Sequence, residues 1–201
     1  MPPRWSGQAS PSRTPSVASS PRRTAESATS PPARSVDPMS SETAFRDVVR
    51  PSDVEAVRDL VRATGYFSDE EVAIAADLVA ETLARGADAG YAFLLAEHDG
   101  RLAGYSCFGR VPCSTVSWDL YWIAVHPSGQ GSGLGRSLLR ETERRVRAAG
   151  GLALYAETSG KAQYASTRAF YEKSGYATAG VFADFYAPGD AKVTYCRRLD
   201  N

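Results

Sequence analysis

A strand, a glycine-rich turn and a helix follow one another between residues 118 and 149, and this segment constrains the fold most. Residues 118–125 are almost entirely aromatic or branched, which predicts a buried strand. Residues 126–135 are rich in glycine. Beyond them, apolar residues recur at helical spacing (Leu134, Leu138, Leu139, Val146, Ala149) and arginines occupy the opposite side (Arg136, Arg140, Arg144, Arg147). This pattern predicts an amphipathic helix, which ends at Gly150 and Gly151.

The glycine-rich turn is predicted to bind an anion. A turn that leads into a helix leaves backbone N–H groups unpaired, and the helix dipole adds roughly half a positive charge there. Glycine allows a phosphate to approach the backbone closely. Two better-known phosphate loops do not fit. The pattern GxGxxG fails because Leu134 or Arg136 stands where its third glycine belongs, and Gly160-Lys161 lacks the rest of a Walker loop.

The order Gln130-x-x-Gly133-x-Gly135 resembles the acetyl-CoA signature Q/R-x-x-G-x-G/A of the GCN5-related N-acetyltransferases. The stretch 170–176, which contains Tyr171, looks like the late helix-and-tyrosine motif of the same family. The resemblance covers residues 45–199. It implies an α/β fold with a central mixed, mostly antiparallel sheet of six to seven strands, flanked by about four helices.

Composition excludes several other classes of protein. The 23 basic and 23 acidic residues balance, so there is no global charge for nucleic acid or an anionic membrane. No apolar run is long enough to cross a bilayer. Three cysteines without a secretory signal indicate reduced thiols in a cytoplasmic protein. With two histidines and no cysteine pair at ligand spacing, we expect no metal site.

Residues 1–41 are rich in Pro, Ser, Thr, Ala and Arg and are predicted to be disordered. This segment could be a basic interaction tail, a phosphorylatable linker, or translated upstream sequence with the true start at Met39, which we favour. A transit peptide is disfavoured because no amphipathic apolar face is evident. Residues 42–201 are then one acetyltransferase-like domain.

The remaining elements follow from caps, turns and alternation. Ser52 and Ser68 each open a predicted capping box and helix, the first ending near Ala63 and the second at Gly86. Asp99 and Gly100 predict a hairpin turn, and Gly104 a bulge or close approach. The predicted strands span 45–49, 91–97, 101–108, 118–125, 152–157, 181–186 and 192–199, with a last helix through 167–171.

The resemblance implies acetyl-CoA as co-substrate and no metal. Its pyrophosphate is expected on the backbone amides of the turn (Gln130, Gly131, Ser132, Gly133, Leu134, Gly135, Arg136), with a further donor in the Ser137 hydroxyl. The pantetheine arm is expected along Ile123, Ala124 and Val125, where the central strand splays from the strand at 152–157.

The resemblance also suggests residues for proton transfer. Tyr171 matches the family's tyrosine and is expected to protonate the departing thiolate. Asp119 and Glu157 are rival general bases. Asp119, Tyr121, Ile123 and Val125 share one face of the strand by the period of two, unless a bulge intervenes. Many relatives carry an asparagine where Tyr164 stands, so the cofactor contacts of this helix should differ.

The predicted function is transfer of an acetyl group to a primary amine by direct attack in a ternary complex. Without a strongly acidic field, a small or amino-acid-like acceptor is favoured. Its pocket is expected to include Tyr66, Phe67, Tyr121, Asp184 and Tyr186. The alternatives are a non-catalytic acyl-CoA sensor, a protein N-terminus or lysine acetyltransferase, and a basic-tailed interaction protein. Either a monomer or a homodimer fits the sequence.

Overall fold

The computed structural model of the protein describes residues 43–199, so the predictions for residues 1–41 and for Met39 lie outside the described part. Seven strands form one sheet in the order β1-β2-β3-β4-β5-β7-β6. The strands are β1 (Ala44–Arg46), β2 (Ala92–His98), β3 (Arg101–Arg110), β4 (Ser117–Val125), β5 (Ala153–Ser159), β6 (Ala177–Ala187) and β7 (Asp190–Arg198). The helices are α1 (Asp53–Thr64), α2 (Asp69–Arg85), α3 (Leu134–Ala148) and α4 (Ala165–Lys173). The sheet is antiparallel except between β4 and β5, as predicted.

Helices cover both faces of the sheet and bury two apolar layers. On one face α1 and α2 contribute Val57 and Val79 to a cluster that also holds Trp122. On the other face α3 and α4 contribute Leu138 and Tyr171. The amphipathic pattern of α3 therefore fits its place, with the apolar stripe on the sheet and arginines turned outward.

Most turn predictions are confirmed. Ser68 and Glu71 form the capping box at the start of α2, in which each side chain bonds the other residue's backbone N–H. Asp99 and Gly100 both have positive φ, as a two-residue hairpin turn requires. At Gly104 the ladder is bulged, and a Cβ there would lie 2.9 Å from a Leu138 methyl carbon. The close approach of α3 to the sheet therefore favours glycine at this position.

Two predictions at the beginning of the domain are wrong. The first strand ends at Arg46 instead of residue 49, because the chain turns there and the Arg46 guanidinium bonds Asp53 on α1. Ser52 makes no side-chain cap bond to α1. The Asp53 carboxylate instead accepts from the Arg50 N–H at 2.6 Å. The free-energy cost of burying the Asp53 carboxylate is offset by its ion pair with Arg46. The Arg46 guanidinium also contacts Glu97 at 2.7 Å.

Strands β4 and β5 run side by side for only four residue pairs. The parallel register starts at Ser117 opposite Ala153 and stops at Leu120 opposite Ala156. From Glu157 onward, β5 is paired only with β7. The end of β4 beyond Leu120 therefore lies along an opening in the sheet, as the resemblance implies.

A bulge in β4 corrects the predicted faces of this strand. Cys107 of β3 is opposite Trp122, but Phe108 is opposite Leu120, so Tyr121 is the extra residue. The extra residue shifts the alternation by one. Ile123 and Val125 consequently pack toward α3 and α4, while Tyr121 packs toward α1 and α2 together with Trp122. Asp119, which alternates with Leu120, faces the α1 and α2 side.

Candidate active site

The turn between β4 and α3 forms a cradle of backbone amides. Gly131 and Gly133 have φ values of +80° and +90°, a region that only glycine adopts without strain. Gly133 caps α3 without a side-chain hydrogen bond, and the Leu134 N–H makes a long bond of 3.4 Å to Ser132 Oγ. The N–H groups of Gly135 and Arg136 in the first turn therefore remain available for an anion. A Cβ added at either glycine would meet nothing within 4 Å, which places both on the open side of the turn. This geometry fits a diphosphate.

Packing against the end of β4 fixes the cradle in place. The Gln130 side-chain amide donates to the Val125 carbonyl oxygen at 3.4 Å. A Cβ at Gly135 would lie 3.6 Å from both Val125 and the Phe170 ring, which is ordinary contact distance. The Ser132 hydroxyl donates to the Gly129 carbonyl oxygen at 2.7 Å, and the Ser137 N–H donates to the Gly133 carbonyl oxygen. The predicted pyrophosphate loop and the predicted strand end are therefore adjacent.

The opening between β4 and β5 begins directly beside this cradle. Ile123, Ala124 and Val125 lie beyond the last β4–β5 pair, so the edge of β4 that faces β5 has no strand partner there. An extended chain can add to such an edge through main-chain hydrogen bonds. The three residues predicted to hold pantetheine thus lie where an extended arm would fit.

Tyr171 lies on α4 in an aromatic cluster on the α3 side of the sheet. Its ring stacks on Tyr195 at 5.5 Å and contacts Phe170 and Tyr176 at similar distances. The residue is 4% exposed, and burial raises the pKa of its phenol well above the ordinary value. A phenol held neutral in this way keeps its proton at neutral pH and is not a base.

Two carboxylates, Asp119 and Glu157, lie on the opposite face of the sheet. Burial and the nearby Glu157 charge raise the pKa of Asp119 to about 6, and Lys192 opposes this effect. Glu157 itself is engaged by neighbours on β7. Its Oε1 lies 3.0 Å from the Lys192 ammonium and accepts from the Thr194 hydroxyl at 3.3 Å. The structure thus distinguishes two groups that the sequence left as equals.

Tyrosines surround these carboxylates. The Tyr164 hydroxyl donates to the Tyr66 carbonyl at 3.3 Å, which ties the start of α4 to the α1–α2 turn. Burial and the Glu157 charge raise the pKa of Tyr186 to about 12, while burial and the Asp119 charge raise that of Tyr121 to about 12. Tyr121 and Tyr186 therefore lie near the two carboxylates, and Tyr66 lies on the α1–α2 turn. The acceptor pocket itself stays a prediction.

Other sequence-predicted residues make structural contacts. Phe67 packs its ring on Trp122 at 5.3 Å, within the core under α1 and α2. Asp184 is exposed, and its carboxylate accepts from the Gly189 N–H at 2.6 Å in the β6–β7 turn. Arg168, on α4, donates to the carbonyl oxygens of Ser159 and Lys161.

Sequence reasoning missed Lys192. Its ammonium lies 4.2 Å from the centre of the Phe185 ring and 5.2 Å from that of Phe182, in addition to its ion pair with Glu157. No local pattern marks this lysine, because its partners come from β5 and β6. Only the strand register brings them together.

Within residues 43–199, no three His, Cys, Asp or Glu side chains are grouped so that they could hold a metal ion. None of the described helices has the length and apolar character needed to span a membrane.

Comparisons with known proteins agree with this geometry. A family model described as an acetyltransferase (GNAT) domain matches residues 89–178. A crystal structure from Desulfovibrio desulfuricans, assigned to the GNAT acetyltransferases, is 46% identical. It covers 79% of this chain and 100% of its own, with a TM-score of 0.78. An acetyltransferase from Salmonella typhimurium, solved with acetyl-CoA, is 20% identical with a TM-score of 0.62. That match covers 80% of this chain and 96% of its own.

A curated relative is also similar to this chain. The mycothiol acetyltransferase of Sanguibacter keddieii is 32% identical over 169 residues, which is 81% of this chain and 51% of the relative. The chain therefore spans about half the length of the curated relative that it matches.

Proposed function

Because the chain belongs to the GCN5-related N-acetyltransferase family of acyltransferases, we propose that it moves an acetyl group from acetyl-CoA to a primary amine within a ternary complex. The observation that carries the proposal is the position of the β4–β5 opening next to the glycine cradle. A diphosphate on Gly131 and Gly133 and an extended arm along Val125 are then parts of one bound molecule.

The described residues supply the proton transfers. Acetyl-CoA provides a thioester that is already activated, so the protein has to manage charge and protons. Asp119 takes a proton from the ammonium of the acceptor, directly or through water. A backbone N–H of β4 near Val125 stabilises the negative charge that develops on the carbonyl oxygen. The attacking nitrogen then loses its second proton to solvent, and Tyr171 donates its phenolic proton to the departing thiolate. The Tyr171 phenolate takes a proton back from solvent.

Asp119 is the better base of the two carboxylates. The Glu157 carboxylate is already paired with the Lys192 ammonium and accepts a hydrogen bond from Thr194, and both contacts stabilise its negative charge. Asp119 makes no ion pair within residues 43–199. Its raised pKa lies close enough to neutral pH for efficient proton transfer, and a lower pKa would make a weaker base.

A small acceptor fits the same face. Tyr121 and Tyr186 offer aromatic surface beside the two carboxylates, which suits a compact cation with an apolar or polar ring. Tyr66, on the α1–α2 turn, is proposed to extend this surface. The similarity to a mycothiol acetyltransferase supports a small molecule rather than a protein tail. A protein N-terminus or lysine side chain is the alternative acceptor of the same chemistry.

Two measurements test the proposal. Calorimetry or a thermal shift with acetyl-CoA should show binding, and an amine panel should show amine-dependent release of free CoA thiol. Binding without release for any amine or peptide would indicate an acyl-CoA sensor in place of an enzyme. Absence of a response to every CoA thioester, even at high concentration, would overturn the proposal.

A further inference from the structure

A groove with an excess of positive charge lies between α3 and the end of α4. It is a cavity of about 290 Å³, near the lower end of the size of small-molecule sites. Its lining contains one carboxylate, that of Glu143, and four cationic side chains, those of Arg136, Arg140, Lys173 and Arg197. This surface is separate from the carboxylate face of the proposed acceptor pocket.

The carboxylate in this groove is already engaged. Glu143 is 4% exposed, accepts from the Tyr176 hydroxyl at 3.1 Å, and pairs with Arg197 at 3.1 Å. Arg197 also donates to the Ser174 carbonyl at 2.7 Å. Glu143 and Arg197 therefore form one wall of the groove, and they leave its other three cations without a counter-charge.

Arg136 and Arg140 differ from other arginines of α3, and Lys173 on α4 resembles them in having no partner among the described residues. Arg144 bonds Glu141, and Arg147 donates to the Leu199 carbonyl. By contrast, no described residue forms an ion pair or hydrogen bond with the three exposed cations of the groove. The pattern of pairing along the helix therefore changes at the groove.

The positions of Arg136 and Arg140 are unfavourable for the free protein. Arg136 lies in the first turn of α3, where the helix dipole repels a cation. Arg136 and Arg140 are four residues apart and so repel each other on the helix surface. A bound anion would remove both unfavourable terms, whereas solvent alone only screens them.

A buried hydroxyl supplies a further donor. Ser174 lines the groove, and its Oγ is buried without a hydrogen-bond partner among residues 43–199. Buried hydroxyls without partners are rare in folded proteins. An anion with several acceptor oxygens could satisfy this donor and the arginines together.

We propose that this groove binds a phosphomonoester dianion. The phosphate that position favours is the 3′-phosphate of coenzyme A, because Arg136 belongs both to the predicted diphosphate cradle and to the groove. This assignment rests on the proposed function. A free phosphate compound is the other source with the same chemistry. Arg140 and Lys173 would contact the phosphate from the two sides of the groove.

Calorimetry with CoA and with 3′-dephospho-CoA tests the proposal without needing an acceptor. The wild-type protein should bind CoA at least about tenfold more tightly, as charge-assisted hydrogen bonds to one phosphate can provide. R140Q and K173Q should each reduce that ratio, and the double variant should abolish it while binding of 3′-dephospho-CoA persists. The matched control is R144Q, because Arg144 is an exposed arginine on the same helix that is already paired with Glu141. This variant should keep the wild-type ratio of the two affinities.

A second arm identifies a free phosphate. Its outcome is that the two cofactors bind equally while inorganic phosphate still raises the melting temperature of the wild-type protein. If the R140Q/K173Q variant loses this thermal shift and the R144Q variant keeps it, the groove binds a phosphate from another source. Equal binding of the cofactors with no such phosphate effect would overturn the proposal and leave the proposed function intact. Absence of any binding of either cofactor would instead count against the proposed function.

Discussion

The Lys192 ammonium lies 3.0 Å from Glu157 Oε1 and rests on the Phe185 ring, so β7 holds one of the two candidate bases in an ion pair. The lysine side chain is only 17% exposed, which limits the screening of this pair by solvent. Asp119 lies on the same face and is influenced by both charges. This arrangement gives the two carboxylates different surroundings and leads to two predictions about pH.

Asp119→Asn should lower kcat/KM by about 10²–10⁴, the usual contribution of a positioned general base. In the wild-type enzyme, activity should rise with pH through an apparent pKa near 6, because Asp119 must lose its proton to act as a base. The variant should lose this rise. Retention of full activity and of the same pH dependence in Asp119→Asn would remove Asp119 from the mechanism.

Changes at Glu157 and Lys192 should move this apparent pKa in opposite directions. Glu157→Gln removes a negative charge that favours protonated Asp119, so the pKa should fall and the rise in activity should begin at lower pH. Lys192→Met removes a cation that favours the ionised form, so the pKa should increase. The measurement is kcat/KM against pH for the three proteins. Shifts in the same direction would contradict the assigned electrostatics.

Tyr171→Phe should lower kcat by about 10–10³ while acetyl-CoA affinity stays near that of the wild type. The ring packing remains, and only the proton donor is lost. Tyr195→Phe is the matched control, because Tyr195 stacks on Tyr171 but donates its hydroxyl to Glu172 at 2.9 Å. Equal rates for both variants and the wild type would exclude Tyr171 as the acid.

Gly133→Ala and Gly135→Ala should differ although both glycines belong to the signature. At Gly133 the φ of +90° makes alanine strained by about 1–2 kcal/mol, and relief of that strain would move the cradle amides. We expect acetyl-CoA affinity to fall by about tenfold, or about 1.4 kcal/mol. At Gly135 a Cβ makes ordinary contacts of 3.6 Å with Val125 and Phe170, so affinity should be nearly unchanged. Calorimetry on both variants checks this, and equal losses would contradict it.

The sequence by itself determined the features whose causes are local. Glycines at 131 and 133 dictate a turn with positive φ, and the periodic pattern after them dictates α3. The capping box at Ser68 and the turn at Asp99 were predicted for the same reason. The resemblance to the family added the order of elements and the opening beside β4, which no local pattern contains.

Only the tertiary structure decided which side chains share a face of the sheet and which of them form ion pairs or hydrogen bonds. The extra residue at Tyr121 places Asp119 opposite to Val125, although simple alternation put them together. Lys192 reaches Glu157 because β5 and β7 pair in one particular register. Bulges and registers depend on contacts between residues far apart in the chain, and local propensity carries no information about them. The cradle could thus be predicted from its own residues, whereas the surroundings of Asp119 and Glu157 required the assembled sheet.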